Sequence, residues 1–232
     1  MLFVLFNITV INSLLPLQIS VFGQSLETDL INQKVEINLS KATLVEVLST
    51  LAVEYRVAIG LEEATDSRQK INKRMYVEDG KIKWKDGTIN IKSGTLKEVL
   101  DSLVEQEPQY TWEVRDNVIN VFPVQLRDEF LKKLLETKIE KFSPQKSMNK
   151  FEIRDMIVEL PEVKALLKAE KVKALNRYYS TRRSIYADDE IDLSISNTDV
   201  RGVLNKIARD SEHKIWFIER IGEKREDLLV SF

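Results

Sequence analysis

The chain has no cysteine and one histidine, His213, among its 232 residues. Without cysteine there is no disulfide framework, thiolate nucleophile, cysteine zinc site, iron–sulfur cluster or lipid-bearing thiol. One histidine cannot build a two-histidine metal site, although carboxylate-only sites survive. Glycine is scarce, with seven residues where average usage would give about 16. No glycine-rich phosphate loop, dinucleotide fingerprint, Gly-x-Ser-x-Gly elbow or Gly-x-x-Gly clamp occurs, and there is no His-Glu-x-x-His. A large charge excess is also missing. The formal net charge is −2, which excludes a basic excess spread over the whole chain.

What is present is a globular composition, 43% hydrophobic and 31% charged. The length suffices for one large or two small domains with a real core. The charge is uneven: residues 1–123 carry a net −4, residues 124–185 a net +6 and residues 186–232 a net −4.

Residues 1–26 hold no charged side chain. An apolar stretch ending in Val21-Phe22-Gly23 reads as a secretory signal peptide over 1–23, though it lacks a basic n-region. The expected location is the periplasm or the exterior, with an uncleaved anchor as the competing reading. Asn7, Asn12, Ser13 and Pro16 interrupt the apolar run and argue against a membrane span.

Three stretches share one apolar frame. The first runs Val35–Leu39 and then Thr43-Leu44-x-x-Val47-Leu48-x-x-Leu51. The second runs Ile89–Ile91 and then Thr95-Leu96-x-x-Val99-Leu100-x-x-Leu103, 52 residues on. The third runs Leu193–Ile195 and then Asp199-Val200-x-x-Val203-Leu204-x-x-Ile207, a further 104 on. In each, a half-buried strand leads through an N-cap residue into an amphipathic helix. Thr43–Glu46 and Thr95–Glu98 are capping boxes, while Gly202 replaces the glutamate in the third copy. A strand returns after each helix, over 57–61, 110–115 and 214–219. The same register places Trp216 on Trp112. Two turn signals predict hairpins: Asp86-Gly87 joining 81–84 to 88–91, and Asp116-Asn117 joining 110–115 to 118–122. A longer loop around Gly222 joins the last two strands. The basic middle segment predicts helices over about 125–138, from about Ile153 to just before Pro161, and from Pro161 with Val163, Leu166, Leu167 and Ala174 on one face.

The pattern at 35–61 and 87–122 resembles the secretin and TonB N-terminal short domain, a family built from two βαβ units. The resemblance covers about 33–123. It implies an α/β (α+β) fold with small mixed sheets packed on helices, and a role in docking other envelope proteins. No pore or barrel is implied, and the resemblance places no family binding residues here. The expected organisation is a signal peptide over 1–23, the short domain over 33–123, a basic helical segment over 124–185 and a third half-unit over 186–232 packing with the middle helices.

Few residues invite chemistry. His213 reads as a turn residue rather than a general base. Asp188-Asp189-Glu190 lacks calcium-loop spacing and reads as a solvated turn. Trp84, Trp112 and Trp216 read as strand aromatics rather than a ligand box. Tyr178, Tyr179, Arg182 and Arg183 combine rings with guanidinium groups and are the candidate partner-binding residues. No catalytic residue, metal site or cofactor is assigned. The expected function is a non-catalytic, exported cell-envelope docking module whose partner is another envelope protein, met along an exposed sheet edge or hairpin. Nucleic acid is not an expected partner, no membrane span is expected after signal cleavage, and self-association stays open. The alternatives are a small carboxylate-dependent enzyme, or an anion or nucleic-acid binder through 164–183.

Overall fold

The computed structural model describes residues 28–64, 75–78, 81–84, 87–125, 127–143, 148–174, 190–191, 193–210, 212, 214–221 and 226–232. The chain is an α/β (α+β) protein in which small sheets pack on helices.

After a helical turn at 28–32 (α1), the first half contains β1 (Lys34–Val35), β2 (Leu39–Ala42), α2 (Leu44–Glu54) and β3 (Ile59–Glu62). A two-stranded ribbon follows, β4 (Met75–Glu78) and β5 (Lys81–Trp84). Next come β6 (Ile89–Ile91), β7 (Gly94–Thr95), α3 (Leu96–Gln106), β8 (Tyr110–Arg115) and β9 (Val118–Pro123). The second half contains α4 (Glu129–Glu136), β10 (Lys138–Phe142), β11 (Met148–Asn149), α5 (Lys150–Glu159), α6 (Pro161–Ala169) and β12 (Lys173–Ala174). It ends with β13 (Glu190–Ile191), β14 (Ile195–Asp199), α7 (Val200–Asp210), β15 (Ile215–Ile221) and β16 (Asp227–Ser231).

Local chemistry explains the helix starts. The Thr43 and Thr95 side chains accept from the Glu46 and Glu98 amides, and each glutamate reaches back to the cap amide, so both capping boxes are complete. In the third copy the Asp199 carboxylate accepts from the Gly202 amide at 2.9 Å. Each helix then buries its apolar stripe: Leu44, Val47, Leu48 and Leu51 in α2, and Leu96, Val99, Leu100 and Leu103 in α3. Helix α5 stops at Glu159, and Pro161 opens α6, where a missing amide costs nothing.

The two halves repeat one topology. In the first, β2 pairs antiparallel with β6, β3 lies parallel to β9, and β9 pairs antiparallel with β8. In the second, β10 pairs with β14, β12 lies parallel to β16, and β16 pairs antiparallel with β15. The two triplets join through a parallel β15·β3 contact, giving one six-stranded sheet of order β12-β16-β15-β3-β9-β8. Alternation then sorts the side chains. Ile59, Leu61, Ile119 and Val121 enter a core with α2, α3 and the β2·β6 pair. Ala58, Val118, Trp216 and Ile218 enter a second core with α4, α5, α6 and α7. The helices of the two halves therefore cover opposite faces of one sheet, and β3 and β9 are buried on both.

Several expectations need correction. Strands β5 and β6 do not form the hairpin expected at Asp86-Gly87: β5 pairs with β4, and β6 pairs with β2. Gly87 serves a close approach instead, since a Cβ there would lie 1.8 Å from the Ala42 carbonyl oxygen. Asp86 lies outside the described residues. The first strand is split at residues 36–38 into β1 and β2. Ala174 belongs to β12 rather than to the third helix, which ends at Ala169. The Asp116-Asn117 turn forms, with both residues at φ 58°, as a two-residue primed hairpin requires.

Glycine scarcity leaves a mark on the backbone. Lys41, Arg56, Asp116, Asn117, Lys171, Asn197 and Lys214 all sit in the left-handed region, which glycine occupies without steric cost. Lys41 and Asn197 hold matching places, in β2 and β14, at φ 54° and 52°.

Candidate functional site

The six-stranded sheet ends in β12 on one side and β8 on the other. Among the described residues strand β8 carries one ladder, to β9. The tight turn pairs Arg115 with Val118, and beyond the far end the Val124 amide donates to the Gln109 carbonyl at 2.8 Å. The odd-numbered residues of β8 thus face β9. Trp112 and Val114 turn their amides and carbonyls outward, where the described residues give them no partner.

The same edge exists in the second half, but covered. Strand β15 matches β8 at an interval of 104 residues, and β3 lies against it. The Ile59 amide donates to the Lys214 carbonyl at 2.7 Å, and the Glu63 amide to the Ile218 carbonyl at 3.0 Å. Lys214 and Ile218 correspond to Tyr110 and Val114. The open edge thus has the hydrogen-bonding phase of an edge already seen to take a parallel strand.

The tryptophans extend the correspondence. Trp216 is fully buried, and its indole N–H donates to Asn205 Oδ1 at 2.8 Å. Trp112 is half-buried and donates to Asp101 Oδ1 at 3.2 Å. In both cases the acceptor lies eleven residues earlier, on the preceding helix. Gly60 sits opposite Trp216, and a Cβ on it would lie 2.2 Å from the indole ring. The tryptophan thus overhangs the neighbouring strand and leaves room for hydrogen alone. The two edges differ on their other face. Ile215 and Phe217 pack against the first half's core, whereas Thr111 and the exposed Glu113 hold the matching places on β8.

Charged groups fix the junction between the halves. Glu62 is 1% exposed and accepts from Arg127 Nε at 2.8 Å, from Arg127 Nη2 at 2.7 Å and from Arg201 Nη2. Arg127 also lies 4.9 Å from the Phe122 ring centroid. Asp128 caps α4 through the Phe130 and Leu131 amides and lies 3.5 Å from Arg220, which covers the Phe130 ring. Asp199 accepts from Arg115 Nη2 at 2.7 Å and from Lys138 Nζ at 3.4 Å. Burial opposes the Asp199 charge, but the Arg115 guanidinium, the Gly202 amide and Lys138 outweigh it and hold the carboxyl below its usual range. Burial pushes the Tyr110 phenol up, and its oxygen accepts from the Ala64 amide at 3.2 Å. Glu62, Asp128 and Asp199 thus each face a cation, and Asp128 and Asp199 also cap a helix.

Among the described residues no group of three or more His, Asp or Glu side chains could hold a metal ion. No helix among them is long and apolar enough to cross a membrane. An apolar cavity of about 10 Å³, lined in part by Leu134, Ile157, Val163, Leu204, Ile218 and Val230, has room for about one water molecule.

Tyr178, Tyr179, Arg182, Arg183, His213, Asp188, Asp189 and the segment 1–23 lie outside the described residues. Glu190 opens β13 and pairs in register with Asn149. The β8 edge itself was missed as a named site. Its sequence signal is the pair of contrasts at the repeat interval, Thr111 and Glu113 against Ile215 and Phe217. No protein-family model, curated protein or solved structure matches the chain.

Proposed function

We propose that this chain is a non-catalytic docking module of the bacterial cell envelope, exported by its N-terminal segment, that binds a protein partner along the β8 edge. One observation carries the reading: among the described residues the outward groups of Trp112 and Val114 meet no strand, while the matching groups of β15 hold one. Unpaired edge groups recruit extended segments, with main-chain bonds giving affinity and flanking side chains giving choice. The resemblance to the secretin and TonB N-terminal short domain supports an envelope docking role. The commitment of the buried carboxylates to arginines supports binding over catalysis.

Site-specific photocrosslinking tests this. A benzoylphenylalanine at Glu113 should give one discrete adduct in cells making the full chain, and the same group at exposed Glu159 should not. Equal labelling from both positions, or no adduct from either, refutes docking at this edge. Recovery of the chain from the cytoplasm with Met1 intact refutes the envelope assignment.

A further inference from the structure

We infer that the β8 edge accepts a single extended strand running parallel to β8, with glycine opposite Trp112 and a basic residue opposite Glu113. This rests on the docking reading and specifies its partner. The template lies within the molecule. Strand β3 runs parallel to β15, with Ile59 opposite Ile215, Gly60 opposite Trp216 and Leu61 opposite Phe217. The 104-residue interval carries these positions onto Thr111, Trp112 and Glu113.

Trp112 sets the first requirement. Its indole is tied to Asp101 as the Trp216 indole is tied to Asn205, and by that correspondence we place the ring over the neighbouring strand position, which no described residue fills. A residue placed there meets the ring as Gly60 meets Trp216, where a Cβ would be 2.2 Å away. Glycine fits, and a branched side chain does not.

Glu113 decides what kind of body brings the strand. In the internal junction, Ile215 and Phe217 are covered by the first half's core. A second copy docking in the same way would press Thr111 and the carboxylate of Glu113 into that apolar environment, and burying an unpaired charge is strongly unfavourable. A lone strand from a partner leaves that face in water, where Glu113 pairs with a basic neighbour across the ladder. The occupant is therefore an extended segment of another protein, with a glycine followed by a basic residue, and not a folded copy of this chain.

The test uses the full chain and a capped peptide of the β3 sequence 57–63 carrying Leu61→Lys, which places glycine opposite Trp112 and lysine opposite Glu113. Titration followed by amide resonances should shift Trp112 and Val114 saturably. A spin label on the peptide N-terminus should broaden Thr111 more than Arg115. Adding Gly60→Val to the peptide should weaken binding at least tenfold. Charge reversal at Glu113→Lys in the protein should weaken the lysine peptide about two- to fivefold, and a Leu61→Glu peptide should recover that loss. Equal binding of the valine peptide, or stronger broadening at Arg115, overturns the inference. So does a Glu113 crosslink that joins two copies of the chain. A partner crosslink at Glu113 combined with no peptide binding removes the parallel strand but keeps the docking reading. Loss of both removes both.

Discussion

Gly60→Ala should destabilise the protein far more than a single methyl group suggests. The added Cβ would lie 2.2–2.6 Å from three atoms of the Trp216 indole. That ring has no exposed surface through which to leave. Two responses are open. If the strands part to admit the methyl, overpacking costs about 1–3 kcal/mol. If the ring is expelled, about 200 Å² of apolar surface returns to water at about 25 cal/mol/Å², roughly 5 kcal/mol, and about 1 kcal/mol more goes with the bond to Asn205. The cheaper response wins, so the expected loss is about 1–3 kcal/mol. Urea unfolding followed by far-ultraviolet circular dichroism measures it. Trp216→Leu alone should cost about 2–4 kcal/mol, but it removes the obstacle, so Gly60→Ala added to it should cost under 1 kcal/mol. Trp112→Ala should cost less than Trp216→Ala, because Trp112 is half-buried whereas Trp216 is fully buried. A Gly60→Ala protein within 0.5 kcal/mol of the parent, or additive single and double variants, would refute the packing argument.

Three further outcomes follow from the junction and the backbone. The folded Asp199 carboxyl titrates below its unfolded value of about 3.9; its contribution is complete above that value and disappears as the pH falls through the lower folded value. Asp199→Asn should therefore cost about 1–2 kcal/mol at pH 7 and flatten the acid limb of a stability–pH curve; an unchanged acid limb counts against the assignment. Glu62→Gln should cost about 3–5 kcal/mol by stranding the Arg201 charge inside, whereas the paired change Glu62→Leu with Arg201→Met should come much closer to neutral; denaturant midpoints separate the two. Lys171→Gly should raise stability by up to about 1 kcal/mol, because Lys171 sits at φ 55°, and a lowered melting temperature would contradict it.

Periodicity and caps were legible from the residues alone. The apolar stripes of α2, α3 and α7 read directly from their spacing, the two capping boxes from Thr-x-x-Glu, and the β8–β9 hairpin from Asp116-Asn117. Long-range partnership was not. Gly87 follows an aspartate, so it looked like half of a local turn; its actual constraint is the Ala42 backbone, 45 positions away in the chain. The parallel β15·β3 contact leaves no local signature, because each strand only needs to be apolar on both faces, as Ala58–Leu61 is. The repeat aligned Trp112 with Trp216 but gave no reason to look at Gly60, which matters only once two distant strands touch. The candidate edge was hidden for the same cause: an unpaired strand and a paired one alternate alike, and only the sheet order tells them apart.

The shared sheet also sets a timetable. Strand β3 is complete early in synthesis, but its cover, β15, follows some 150 residues later. At typical elongation rates of 5–20 residues per second that delay is roughly 8–30 s. During this interval the first half carries a bare edge of Ile59, Gly60, Leu61 and Glu62, with Gly60 open to any ring that arrives. Such an edge is sticky in the way finished edges avoid, so any condition that lets the first half fold before β15 is present should favour aggregation over folding.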